Sequence, residues 1–168
     1  MLKYIDRSND SLTLNNKRNT EVRVDLVHDN RSLYATKAFE VNELISYFNW
    51  EAIYKNPSYL TIQIGENQHV ELLPKQLECV NHSCSPNAFF DTTNKCLVCI
   101  EAISEGEEIK FFYPSSEWEM EQAFECRCNT SKCIGSIKGA KYLNEEQRQL
   151  YRFTDFIQLK MAESKHGF

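Results

Sequence analysis

Residues 81–87 read NHSCSPN. Asn, Ser and Pro favour turns: Asn and Ser side chains bond their own backbone, and Pro presets φ. The stretch is therefore a polar loop carrying one histidine and one cysteine. The apolar run that follows, NAFFD at 87–91, reads as a strand leaving it. A cysteine in such a loop can turn its thiol outward, where a thiolate is a metal ligand.

Working outward, FECRCNTSKCIG at 124–135 holds Cys126, Cys128 and Cys133 in a C-x-C-x4-C spacing. Three thiolates this close suit one zinc ion, and a closed structural site wants four. Two ligands one residue apart fit only if the backbone turns around the ion, and Asn129 and Gly135 favour such a turn. From spacing alone the fourth ligand is open among Cys79, Cys84, Cys96, Cys99 and the four histidines. Cys96 and Cys99 lie in an apolar run and read as small core residues.

The 168 residues make about one domain, and 42% hydrophobic content is enough for a core. The formal charge of −5 lacks the basic footprint of a nucleic-acid binder and is compatible with a basic peptide partner. Seven cysteines is an odd number, and the first twenty residues lack the apolar core of a signal peptide. An intracellular, reducing setting is expected, where clustered cysteines bind metal rather than each other. No run reaches transmembrane length, so no membrane association is expected.

Short strands are predicted at EVRVDLVHD (21–29), LYATKAF (33–39), LISYF (44–48), YLTIQIG (59–65), HVELL (69–73), KCLVCIEAI (95–103) and EEIKFFY (107–113). In YLTIQIG, Leu60, Ile62 and Ile64 share a face, and the run forms a hairpin with HVELL. SEGEE at 104–108 is a turn. Leu143, Leu150, Phe153, Ile157 and Met161 recur at helical spacing, predicting one amphipathic C-terminal helix with Asn144 and Gln147 capping its start.

The order NHSCSPN, GEEIKFFY, C-x-C-x4-C resembles the SET-domain family of protein lysine methyltransferases with a post-SET zinc motif. LYATKAFEVNELI and YLTIQIG resemble further family segments, and the likeness runs over about residues 20–140. It implies a mainly β fold: a SET-domain β-clip with a pseudoknot at the NHSC loop, a post-SET zinc loop and a C-terminal α-helix. The implied division is an N-terminal extension at 1–19, the SET domain at 20–115, the zinc-binding segment at 116–140 and the helix at 141–168. By the family pattern the fourth zinc ligand is Cys84, giving Cys84, Cys126, Cys128 and Cys133.

The resemblance also implies S-adenosyl-L-methionine on one face and a lysine of a protein or peptide substrate, basic in character, entering from the other. Asn81 and His82 match the cofactor-binding pair, and Asn30, Arg31, Ser32, Leu33 and Tyr34 match the segment before it. Tyr113 matches the catalytic tyrosine and also abuts the cofactor. Tyr59 matches the channel tyrosine. Phe111 falls at the Phe/Tyr position that sets how many methyl groups are added. The family's Gly-x-Gly is Asn30-Arg31-Ser32 here, and its acidic residue before the tyrosine is Phe112. Glu117, Glu119 and Glu121 are expected to draw a basic peptide to the channel mouth. The implied activity is methyl transfer to lysine; the alternative is a silent SET fold that binds peptides.

Overall fold

The computed structural model describes residues 19–26 and 30–166. Nearly all of the expected N-terminal extension, and residues 27–29 of the first expected strand, lie outside them. Among the described residues the strands are β1 Thr20–Asp25, β2 Asn30–Ala35, β3 Leu44–Tyr47, β4 Thr61–Gly65, β5 Gln68–Glu71, β6 Asn81–His82, β7 Ala88–Asp91, β8 Cys96–Cys99, β9 Lys110–Phe111, β10 Phe124–Glu125 and β11 Ser136–Ile137. Two α-helices follow, α1 Glu145–Leu150 and α2 Asp155–His166. The expected mainly β architecture with a C-terminal helix is present.

The sheets are small. β1 and β2 pair antiparallel from Thr20↔Ala35 to Asp25↔Asn30. β3, β8 and β7 form a three-stranded antiparallel sheet, and β4 pairs with β5 as the predicted hairpin. Several strands are shorter than the apolar runs that encode them. The 33–39 run continues β2 only to Ala35, and Phe39 then bridges Ile103. The 107–113 run narrows to β9, because Tyr113 opens a 3-10 turn through Ser115.

One apolar cluster gathers Leu33, Ala35, Phe48, Ile62, Leu72, Phe90, Leu97 and Phe111 from the central strands and the turns beside them. Phe90 meets Phe48 and Phe111 edge-on, at 5.7 and 4.8 Å between centroids. Burying such a side chain contributes about 1.5–3 kcal/mol. The expected Leu60/Ile62/Ile64 face is not the whole story of β4. Gln63 between them is buried as deeply as Ile62. It is tolerated there because its backbone N–H donates to Glu117 (2.8 Å) and its side-chain carbonyl accepts from the Trp118 N–H (3.0 Å).

The NHSCSPN loop makes a knot-like crossing. β6 runs parallel to β9, with Asn81 beside Lys110 and His82 beside Phe111. Ser83 N–H donates to the Phe111 carbonyl. At the far end of the loop the buried Asn87 holds the same strand: its Oδ1 accepts from Lys110 N–H (2.8 Å) and its amide donates to the Glu108 carbonyl (2.8 Å). Backbone polar groups of a two-residue strand are thus satisfied inside the protein.

β10 and β11 bracket the cysteine loop. Asn129 (φ +54°) and Gly135 (φ +77°) take the left-handed conformation that the tight turn demands. At Gly139 (φ +118°) a Cβ would lie 2.5 Å from the Trp118 carbonyl oxygen, so no other residue fits.

The predicted single C-terminal helix is two. Asn144 caps α1 in a complete capping box with Gln147, as the sequence suggests. The chain then breaks at 151–154, and α2 begins after Thr154, whose hydroxyl accepts from Ile157 N–H. Leu150, expected on the buried stripe, is 62% exposed. The break lets Tyr151 stack on Phe112 (3.7 Å, 9° between planes) and donate its hydroxyl to the Cys84 carbonyl. Phe112, Ala140, Leu143, Phe153, Ile157 and Met161 form a second apolar cluster. This explains the apolar residue at 112: it anchors the C-terminal segment to the end of β9.

Candidate active site

Tyr113 stands between two cavities. One, of about 300 Å³, is lined by Tyr59, Ile62, Leu72, Phe90, Phe111, Tyr113, Glu117 and Phe124, among others. The second, of about 500 Å³, is lined by Asn30, Asn81, His82, Ser83, Glu108, Lys110, Tyr113, Phe124, Cys126 and Arg127, among others. Tyr113 and Phe124 line both. The first cavity is largely apolar, and the second mixes backbone, aromatic and charged groups.

The polar loop fixes the tyrosine. Tyr113 N–H donates to His82 Nδ1 (3.2 Å), and its hydroxyl donates to the Val80 carbonyl (3.5 Å). With Nδ1 accepting, His82 carries its proton on Nε2, which lies 3.4 Å from Cys84 Sγ. Burial pushes His82 down to about 4, so it is neutral. Burial pushes the Tyr113 phenol up to about 12. Its hydroxyl is therefore a standing hydrogen-bond donor and not a phenolate base.

The residues expected to hold the cofactor part company in the structure. Asn30, Asn81, His82 and Tyr113 share the second cavity. Leu33 is fully buried in the main core and does not line this cavity. Arg31 faces a different surface recess with Thr20, Lys75 and Cys79. Tyr34 is on β2, under the Arg23 guanidinium at 4.2 Å. Ser32, standing where glycine was expected, has a use of its own: its Oγ accepts from the Asn81 amide at 2.7 Å, and that amide also reaches the Arg31 carbonyl. In the first cavity Phe111 is buried against Phe90 and lies 4.8 Å from Tyr113. Tyr59 is 79% exposed at the cavity mouth, two residues before β4.

Cys84, Cys126, Cys128 and Cys133 come together with all four Sγ atoms within 4.8 Å of one another. Cys84 and Cys126 are 3.8 Å apart. A tetrahedron with Zn–S bonds of about 2.3 Å has edges of about 3.8 Å, so the cluster has the dimensions and donor chemistry of a zinc site. Burial pushes the Cys84 thiol up, and pushes Cys126 up to about 11. A divalent cation offsets that penalty by stabilising the thiolates.

Residues 30–114, half the chain, match the SET domain family. This chain is a SET-domain protein. It is 41% identical over 86 residues to the methyltransferase flvH of Aspergillus flavus, covering 50% of this chain and 48% of that protein. It is 38% identical over 66 residues to the histone-lysine N-methyltransferase ash1 of Drosophila melanogaster, covering 36% of this chain and 3% of that one. With the histone-lysine N-methyltransferase set9 of Schizosaccharomyces pombe the identity is 41% over 66 residues, 38% of this chain and 14% of the other. The chain spans about half the length of the first relative and much less of the other two.

The three acidic residues beside this SET domain do not share one role. Glu117 is buried, not a surface lure. Glu119 is tied to Lys141 (2.9 Å) and Tyr142. Only Glu121 of the three is both exposed and on the first cavity. Phe124 was missed: it walls both cavities and meets the rings of His82 and Tyr113 edge-on at 5.6 and 6.0 Å. The signal was its place two residues before the first zinc-type cysteine. Among the described residues no helix is long and apolar enough to cross a membrane.

Proposed function

We propose that the protein is an S-adenosyl-L-methionine-dependent methyltransferase acting on lysine side chains of a protein substrate. The observation that carries this reading is the shared wall: one cavity suited to an apolar stem, one suited to a polar cofactor, meeting at Tyr113 and Phe124. Two ligands entering from opposite sides would meet there in line, which is what a displacement at carbon requires.

The second cavity suits the cofactor. Aromatic edges of His82 and Phe124 and the Asn81–Ser83 backbone match an adenosine, and Glu108, Lys110 and Arg127 offer both signs of charge to an amino-acid end. When bound, the cofactor supplies an electrophilic methyl group on a sulfonium. The protein's own residues do the rest. Phe90, Phe111, Ile62 and Leu72 sheath the lysine stem and exclude water. The Tyr113 hydroxyl, held by Val80, orients the amine. Zinc at the four cysteines, with Tyr151 hydrogen-bonded to Cys84, would pin Phe124 over the shared wall.

The missing glycines are the ground for the alternative, a silent peptide-binding SET fold. The Ser32–Asn81 hydrogen bond supports the active reading instead, because the added hydroxyl organises the loop rather than obstructing it. The relatives named as histone-lysine methyltransferases support a basic protein as substrate, and Glu121 at the mouth would favour one.

The test is incubation of the purified protein with methyl-labelled cofactor and a panel of lysine-rich peptides, histone tails included, followed by mass spectrometry. Label on the lysine Nε is expected. Cofactor binding with no transfer to any peptide would favour the silent module.

A further inference from the structure

The apolar cavity beside Tyr113 holds a feature that neither the hydrocarbon stem nor the methyl donor explains. Glu117 is 7% exposed and lines this cavity together with Phe90, Phe111 and Tyr113. One carboxyl oxygen accepts from the Gln63 N–H of β4 at 2.8 Å. No Lys or Arg is among the residues lining the cavity, and no ion pair to Glu117 occurs among the described residues. A carboxylate buried without a cation is costly, so the group holds a proton until a cation is supplied.

The other polar groups facing the cavity are otherwise engaged or peripheral. Glu78 is paired with Lys75 at 2.8 Å. Glu121 and Tyr59 are exposed at its mouth. Tyr113 donates to Val80 and keeps its proton. The Gln63 N–H of β4 and the adjacent Ser116 hydroxyl favour the charged form of Glu117, but burial outweighs them. Among the described residues Glu117 is therefore the buried acid of the channel. Burial pushes it up to about 8. An acid in that range exchanges protons at working pH, which is the match a general base needs.

Resting on the reading of this cavity as the amine channel, we propose that Glu117 binds the substrate ammonium and accepts the proton it must lose before methylation. The N–H bond breaks, an O–H bond forms on the carboxylate, and the electron pair left on nitrogen becomes the nucleophile. The charge of the ammonium supplies the cation that the buried carboxylate lacks. A neutral amine and a neutral carboxylic acid remain in a dry channel beside the Tyr113 hydroxyl.

Binding is tested by calorimetry with n-butylammonium, an unreactive stem-and-head mimic, without methyl donor. Wild-type affinity should rise about tenfold per pH unit up to about pH 8 and then level, until the amine itself deprotonates near 10.4. Glu117→Gln, which keeps the acceptor for Gln63, should bind at least tenfold more weakly at pH 9 and lose the rise. In methyl-transfer assays the limb of the pH–kcat/KM profile near 8 should move toward about 10.4 in Glu117→Gln; a purely structural role would lower the curve without moving the limb. Equal affinities with equal pH dependence, or a wild-type affinity flat between pH 6 and 8, overturn the proposal. Glu117-dependent ammonium binding in a protein that transfers no methyl group supports this site while overturning the activity proposed above.

Discussion

At the residue scale, Phe111 and Glu117 line the first cavity on opposite grounds, one apolar and one ionisable. Phe111 is buried, 4.8 Å from both Phe90 and Tyr113, and has no hydroxyl to hold a water where the proposed function places the amine. Phe111→Tyr should fill that space and shift the product toward monomethyl-lysine, read by mass spectrometry of a single peptide; an unchanged methyl count would separate Phe111 from product control. Glu117 makes a prediction about stability. Its folded-state pKa is raised above the ordinary carboxylate value of about 4.3. The native protein therefore holds this proton where the unfolded chain has released it. Stability from this group is full below about pH 4.3 and is lost as pH rises through about 8. Glu117→Gln should remove that decline and be the more stable protein at pH 9 by on the order of a few kcal/mol. Chemical denaturation of both proteins from pH 5 to 9 measures it, and parallel curves would mean that Glu117 titrates normally. None of this was readable from SSEWEMEQ, where three alternating glutamates look alike. Their difference comes from β4, whose Gln63 lies 54 positions upstream and closes over one of them.

At the scale of elements, the sequence was most informative where chemistry restricts residue type. The NHSC loop, the Gly106 turn before β9, the β4–β5 hairpin and the Asn144 capping box all read directly from residues with few alternatives. The C-terminal helix did not, because hydrophobic period alone cannot see a break made for a distant partner. Tyr151 leaves the helix to stack on Phe112 and bond the Cys84 carbonyl. The cysteine group joins two segments 42 positions apart, and spacing alone supplied only its local three. One zinc per chain is expected by metal analysis. Cys84→Ser should lower zinc retention strongly, since structural zinc contributes on the order of 10 kcal/mol in small finger peptides. Full zinc occupancy with an unchanged melting temperature would place the fourth ligand elsewhere.

At the scale of the molecule, two apolar clusters meet at the end of β9, where Phe111 belongs to one and Phe112 to the other. The first cluster packs the strands, and the second seats α2 and the segments on either side of α1. The zinc-type loop lies beside the junction, and Phe124 leads from it to the shared wall of both cavities. Chelation should therefore loosen residues 124–137 and the Tyr113 turn while β7 and β8 stay protected, a pattern that amide hydrogen exchange resolves. Uniform loss of protection would mean that zinc holds the whole fold. The proposed function has methyl donor and amine meet at Tyr113, which the single-turnover transfer rate of Tyr113→Phe against wild type, with cofactor affinity measured alongside, puts to the test. The ring and its packing are kept and only the hydroxyl is lost. The rate should fall by orders of magnitude with cofactor affinity nearly unchanged. Transfer at the parent rate would remove Tyr113 from the reacting centre and contradict the proposed function.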